Sequence, residues 1–190
     1  MCNYDKNYVK NVRGCIDRTT NSRYVLVVKL NNDNKEAVAV IMKNPSKANK
    51  SKSDKTVNNV LKIAYQKGFG KVYILNLYSY YSPDVKNITE LIEKNDKKNL
   101  EINNSYIRKV MKRVNKIIVG WGTIQAKKSV LQNYDDRVKS VYELIKDKEL
   151  YVLDEDFTTS SYPKHPQTLA LHSSKITLKS WKPTNMKEVE

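Results

Sequence analysis

Four short apolar runs, each separated from the next by a segment of helical period, constrain what this chain can fold into more than any other feature. Ala37 to Met42 (AVAVIM), Lys71 to Tyr78 (KVYILNLY), Ile117 to Trp121 (IIVGW) and Leu150 to Leu153 (LYVL) read as buried strands. Between them, Val57, Val60, Leu61 and Ala64 recur at helical spacing and stop at Gly68-Phe69-Gly70. Ile102, Tyr106, Val110 and Met111 mark a second amphipathic helix, and Val130, Tyr134, Val138, Val141 and Leu144-Ile145 a long third one. Strand, helix, strand in this order makes a crossover unit, and crossovers pack helices on the faces of a parallel sheet. The expected fold is α/β: a three-layer α/β/α domain with a mainly parallel central sheet. Arg23 to Leu30 (RYVLVVKL), the polar turn Asn31 to Asn34 and Ala37 to Met42 read in addition as a β-hairpin feeding a buried strand.

A chain of 190 residues suits one domain with a real core. Residues 1–190 are therefore expected to form a single domain, with 1–20 and 182–190 as loose ends. No run approaches the roughly 18 apolar residues of a membrane span, and the polar start Met1 to Tyr8 lacks the apolar stretch of a secretory signal. A cytoplasmic protein with no membrane partner is the expectation. Two cysteines, Cys2 and Cys15, do not make a zinc site, so neither metal nor cofactor is expected.

Charge says more about partners. Thirty-five Lys and Arg against 20 Asp and Glu leave +15, and from Lys43 to Lys71 eight lysines stand with a single acid, Asp54. A polyanion, either nucleic acid or the phosphates of a nucleotide, is the partner such a segment suits, with Lys47, Lys50 and Lys52 as phosphate-binding candidates. Lysines also solvate surfaces, and a chain rich in Lys, Asn and Tyr suits an AT-rich genome.

In an open α/β sheet, ligands bind beyond the carboxyl ends of the strands, where loops and helix amino-termini converge. The residues at those ends are Asn44-Pro45-Ser46, then Asn76 with Tyr78, Tyr80 and Tyr81, then Gly120-Trp121-Gly122, and finally Ser161-Tyr162-Pro163-Lys164-His165-Pro166. Each has a structural alternative: a common turn for Asn-Pro-Ser, a core-filling indole for Trp121, composition for the tyrosines and a surface loop for His165. Their coincidence at one sheet edge favours a ligand site, and Asn44, Asn76 and His165 are expected to converge there.

The stretches VIMKNPSKANKSKSDKT, GFGKVYILNLYSYYSPD, IIVGWGT and PKHPQTL resemble, in order from about Arg23 to Leu171, the bacterial and phage family called domain of unknown function 1643. Lys52-Ser53 stands where that family often has an acidic pair before Asp-x-Thr (Asp54 to Thr56). The motif order is also similar to that of the uracil-DNA glycosylase superfamily. That similarity implies a glycosylase-like fold in which Asn44 positions water, Asn76 reads the edge of a base and His165 stabilises the leaving base, with an aromatic stacking on that base.

The chemistry suits these residue types. Breaking an N-glycosidic bond develops a cation on the sugar and an anion on the base, so catalysis requires electrostatic complementarity to both. An imidazole serves the base, but an amide cannot accept a proton from water. Asp54 is thus the candidate general base, and equally a candidate cap for the helix beginning near Thr56. Asn44, Asp54 and His165 are the catalytic candidates, and Pro45, Ser46, Thr56, Asn76, Tyr78, Trp121 and Gly122 the ligand-binding ones. The expected function is action on nucleic acid, hydrolysing or recognising the N-glycosidic bond of an altered base. The alternatives are a non-catalytic nucleotide or nucleic-acid binder and an enzyme of free nucleotides.

Overall fold

The computed structural model of the chain describes residues 1–81, 85–153, 159–168 and 177–183. Among these, seven strands form one sheet: β1 (Val9–Asp17), β2 (Ser22–Leu30), β3 (Ala37–Met42), β4 (Lys71–Asn76), β5 (Lys116–Gly120), β6 (Glu149–Val152) and β7 (Lys179–Ser180). Four helices accompany them: α1 (Lys55–Gln66), α2 (Val85–Lys94), α3 (Lys97–Met111) and α4 (Lys128–Ile145). The sheet order is β1-β2-β4-β3-β5-β6-β7.

The four runs that dominate the sequence are the centre of this sheet. β4, β3, β5 and β6 pair in parallel, β3 lying between β4 and β5. Alternate residues of β3 face opposite sides: Val38, Val40 and Met42 join a core with Val57, Val60, Leu61 and Ala64 of α1. Ala39 and Ile41 join the other core with Ile88 and Ile92 of α2, Ile107 and Val110 of α3, and Val130, Val138 and Val141 of α4. Burial on both faces explains why AVAVIM shows no polar alternation.

The sheet as a whole is mixed, which corrects the expectation of a mainly parallel one. β1 to β2, β2 to β4 and β6 to β7 are antiparallel. The expected hairpin of Arg23–Leu30 with Ala37–Met42 does not exist, because β4 lies between them, with Val28 opposite Val72 on one side and Val38 opposite Val72 on the other. The real hairpin joins β1 to β2 through the turn that ends at Asn21, whose φ of 50° is left-handed. Residues 1–20 are consequently not a loose end: β1 is paired along its length, and Cys2 and Ser53 exchange backbone hydrogen bonds of 2.9 and 2.8 Å. Of the other expected loose end, residues 184–190 lie outside the described residues, as does Leu169 of the quoted PKHPQTL stretch.

α1 shows why the chain folds this way locally. Asp54, extended at φ −138°, caps the helix by accepting from the Val57 N–H. The helix ends where Gly68 adopts φ 83°, with Gly68 N–H donating to Tyr65 O and Phe69 N–H to Ala64 O, a Schellman closure. α3 departs from its expected face, since Ile102 is exposed while Asn99, Asn103 and Asn104 are buried. Those amides have specific partners: Asn103 Nδ2 donates to Asn76 O (2.9 Å) and Leu77 O (3.0 Å), and Asn104 Oδ1 accepts from the buried Arg137 (2.6 Å). No helix among the described residues is long and apolar enough to cross a membrane.

Candidate functional site

The three central strands end level, Met42 being paired with Asn76 on one side and with Gly120 on the other. Beyond that row the chain diverges. The segment after β3 leads to α1 on one face, and the segment after β5 leads to α4 on the opposite face, which opens a crevice between the two strand ends. A cavity of about 780 Å³ occupies it. Of the residues singled out in the sequence, Asn44, Pro45, Ser46, Lys47, Asp54, Thr56, Gly122 and His165 line this one cavity.

Asp54 organises the floor. Its Oδ1 accepts from Val57 N–H and its Oδ2 from Ala48 N–H, both at 3.0 Å, so one carboxylate ties the loop after β3 to the start of α1. The capping alternative is therefore realised, but each oxygen keeps a lone pair, and a carboxylate with four acceptor sites still has room for a water. Lys55 and Thr56, the first two residues of α1, also line the cavity, and their backbone N–H groups have no partner within the helix. The Ser46 hydroxyl is buried without a hydrogen-bond partner among the described residues.

His165 reaches the cavity because two glycines make room for its loop. A Cβ on Gly120 would sit 3.0 Å from Pro166 Cδ; one on Gly122, whose φ is 66°, would sit 3.3 Å from His165 Cβ. Gly122 N–H also donates to Pro163 O at 2.8 Å, joining the end of β5 to the loop. His165 Nδ1 accepts from Gln167 N–H at 3.2 Å, which leaves the proton of the neutral ring on Nε2. Burial, reinforced by the ammonium of Lys43, lowers the His165 pKa to about 4, with Asp54 acting in the opposite sense. At neutral pH the ring is thus an uncharged Nε2–H donor.

This carries a consequence for stability. The unfolded chain takes up the imidazole proton near its ordinary pKa of 6.5, the folded chain only near 4. The folded state should therefore lose stability as the pH falls from about 6.5 to about 4, by up to about 3 kcal/mol, and nothing further from this group below that window. Chemical denaturation across that range in the parent and in His165→Gln measures it. The substitution should flatten the profile, and equal slopes would assign the acid sensitivity to other groups.

Lys43, which the sequence reading passed over, is the neighbour that matters most. Its half-buried ammonium donates to Thr123 O at 2.5 Å and lies 6.0 Å from the centre of the Tyr134 ring. Burial lowers its pKa. Standing one residue before Asn44, at the end of β3, it was accessible to the same strand-end rule. Tyr162, whose hydroxyl donates to Asp135, supplies an aromatic wall to the cavity and stacks on Tyr134 at 6.2 Å.

Five sequence candidates are placed elsewhere. Asn76 is fully buried under the cavity floor; its amide nitrogen, oriented to satisfy its surroundings, donates to Leu75 O and to Asn44 O at 3.2 and 3.1 Å. It supports the backbone of Asn44 and does not itself line the cavity. Tyr78 is buried against Tyr134, ring centres 6.4 Å apart. Trp121 is wholly buried, its indole N–H given to Ser161 O (2.9 Å) and its ring set edge-on to Trp181. Both rings are packed into the core at the carboxyl ends of the strands. Lys50 borders a second recess, and Lys52 Nζ donates to Asn3 Oδ1 at 2.9 Å.

No curated protein and no solved structure matches the chain. The family described as Protein of unknown function (DUF1643) matches residues 23–167, a span that runs from β2 through His165 and holds every strand end around the cavity. With about three quarters of its residues inside that match, the chain belongs to the DUF1643 family.

Proposed function

We propose that the cavity receives one nucleotide unit of a nucleic acid and that the protein cleaves the N-glycosidic bond of an altered base there, in the manner of uracil-DNA glycosylases. The observation that carries this reading is the gathering, around one cavity, of a neutral His165 with its proton on Nε2, the Lys43 ammonium, Asn44 and the Asp54 carboxylate. The Nε2–H and the ammonium meet the negative charge that develops on a departing base, a donor and a cation already in place and partly shielded from water. Asp54 accepts a proton from water while Asn44 orients it. The first N–H groups of α1 and Lys47 suit a phosphate at the rim. A base must leave its stack to enter such a crevice, which suits a flipped or unpaired nucleotide.

Incubation with oligonucleotides carrying uracil or hypoxanthine, followed by alkaline cleavage at abasic sites, tests the reaction. Asp54→Asn should reduce base release by about 10²- to 10⁴-fold, the range expected of a general base, while oligonucleotide binding persists. Asn keeps an acceptor for one of the two backbone N–H groups and turns an amide toward the other, so retention of fold is checked by circular dichroism. The second reading, a binder without turnover, is favoured by the commitment of both Asp54 oxygens to backbone donors. Binding by the parent protein with no base release on any substrate would select it.

A further inference from the structure

Beside the main cavity, a second recess of about 570 Å³ is bordered by Arg18, Lys47, Lys50 and Tyr81, with Met1 and Asp17. Met1 and Lys47 border both, which places the two spaces side by side at the basic loop. None of Arg18, Lys47 and Lys50 takes part in an ion pair among the described residues. The acid at the rim, Asp17, has its Oδ1 occupied by the Thr19 N–H (2.9 Å) and hydroxyl (2.6 Å) and by the Thr20 N–H (3.4 Å). Those bonds keep Asp17 ionised, and three cations against this one carboxylate leave the recess cationic.

Tyr81 gives it an aromatic wall. The ring is held by its hydroxyl, which donates to Ala48 O at 3.4 Å, and by its backbone N–H, which donates to Asn21 O at 3.0 Å. Against it packs the guanidinium of Arg23, a fully buried side chain 5.8 Å from the ring centre. Arg23 gives Nη1 to Ala48 O at 2.6 Å, while Nε and Nη2 have no hydrogen-bond partner among the described residues. A buried cation so incompletely paired adds positive potential behind the recess.

We infer that the second recess takes the nucleotide adjoining the one in the main cavity, so that the ligand is a single-stranded polynucleotide and not a free mononucleotide. Lys47, at the junction, meets the phosphodiester between the two units, Tyr81 stacks the neighbouring base, and Arg18 and Lys50 meet the next phosphate. An aromatic face beside a basic track is how single strands are held without regard to sequence. A duplex keeps its bases stacked inside and has no unpaired base to offer the Tyr81 ring. The inference rests on the main cavity being a nucleotide site.

Fluorescence anisotropy with labelled oligodeoxythymidylates, and competition by thymidine monophosphate, separates the possibilities. The oligomer should bind at least about 10-fold tighter than the mononucleotide, the gain a stacked base brings. The double variant Arg18→Ala/Lys50→Ala should lose that gain and flatten the logarithmic salt dependence by about 0.7, the contribution of one phosphate of a single strand, with mononucleotide affinity unchanged. Tyr81→Ala should lose about 10-fold for the oligomer, and Tyr81→Phe should restore it. Equal affinity for oligomer and mononucleotide, an oligomer gain that survives the double variant, or tighter binding of the duplex would overturn this inference alone. Failure to bind either probe, or oligomer binding indifferent to Lys43→Ala in the main cavity, would overturn the nucleotide site itself.

Discussion

Replacing His165 with alanine is expected to slow base release by about 10²- to 10³-fold, the cost of removing one preorganised donor from a developing anion, while oligonucleotide affinity changes by only a few fold. The argument is one of charge. A neutral Nε2–H donor makes a modest bond to the ground-state carbonyl of a base and a much stronger one to the anion, so its contribution appears in turnover more than in binding. His165→Gln keeps a donor of similar reach and should recover part of the loss. Single-turnover measurements at saturating protein separate the chemical step from binding. Equal losses in affinity and turnover would assign His165 to uniform binding, and unaltered turnover would remove it from the reaction. Because burial and Lys43 hold the imidazole neutral well below pH 7, base release should not fall with the ordinary histidine titration near pH 6.5.

The second large effect concerns Trp121 and is one of stability. Truncation of a wholly buried indole to alanine should cost about 3–5 kcal/mol, the sum of lost burial and of the cavity left behind. It also orphans Ser161 O, which accepts the indole N–H, and removes the edge-on contact with Trp181. Urea denaturation of Trp121→Ala and Trp121→Phe measures it, the Phe variant retaining more of the packing. The result separates two roles for one residue. A core indole loses stability on truncation, whereas an indole that stacked on a ligand would lose affinity and leave the denaturation midpoint in place.

The divergence between sequence and structure follows a physical line. The central strands were legible because a segment buried on both faces must be apolar at every position, and AVAVIM and IIVG can be little else. β1 was not, because Val9–Asp17 is an edge strand, half exposed and carrying Lys10, Arg13 and Asp17, with no apolar run to mark it. α2 was passed over for its short stretch of apolar residues. The partner of β2 was misread because β-propensity reports that a run is a strand and says nothing of which strand lies beside it. The inward face of α3 was misread for a related reason: Asn99, Asn103 and Asn104 are polar by type, yet buried, since Ser79, the carbonyls at the end of β4 and Arg137 hydrogen-bond them there, Asn103 through its Nδ2 alone.

At the site, the strand-end rule located Asn44, Asp54 and His165 but could not distinguish a side chain that lines the crevice from one that holds it up. Asn76 and Trp121 belong to the second kind, and Lys43 to the first.

By itself the sequence determined the periodicities that make crossover units, the positive charge concentrated after β3, and the residue types at the ends of four strands, because each is a property of neighbours along the chain. Only the tertiary structure decided the mixed sheet, the crevice between β3 and β5, and the meeting of His165 with Lys43 and Asp54 across more than 100 residues. Strand pairing, burial and the neutral state of a buried imidazole depend on groups remote in sequence, whose desolvation and partners exist only once the chain has folded.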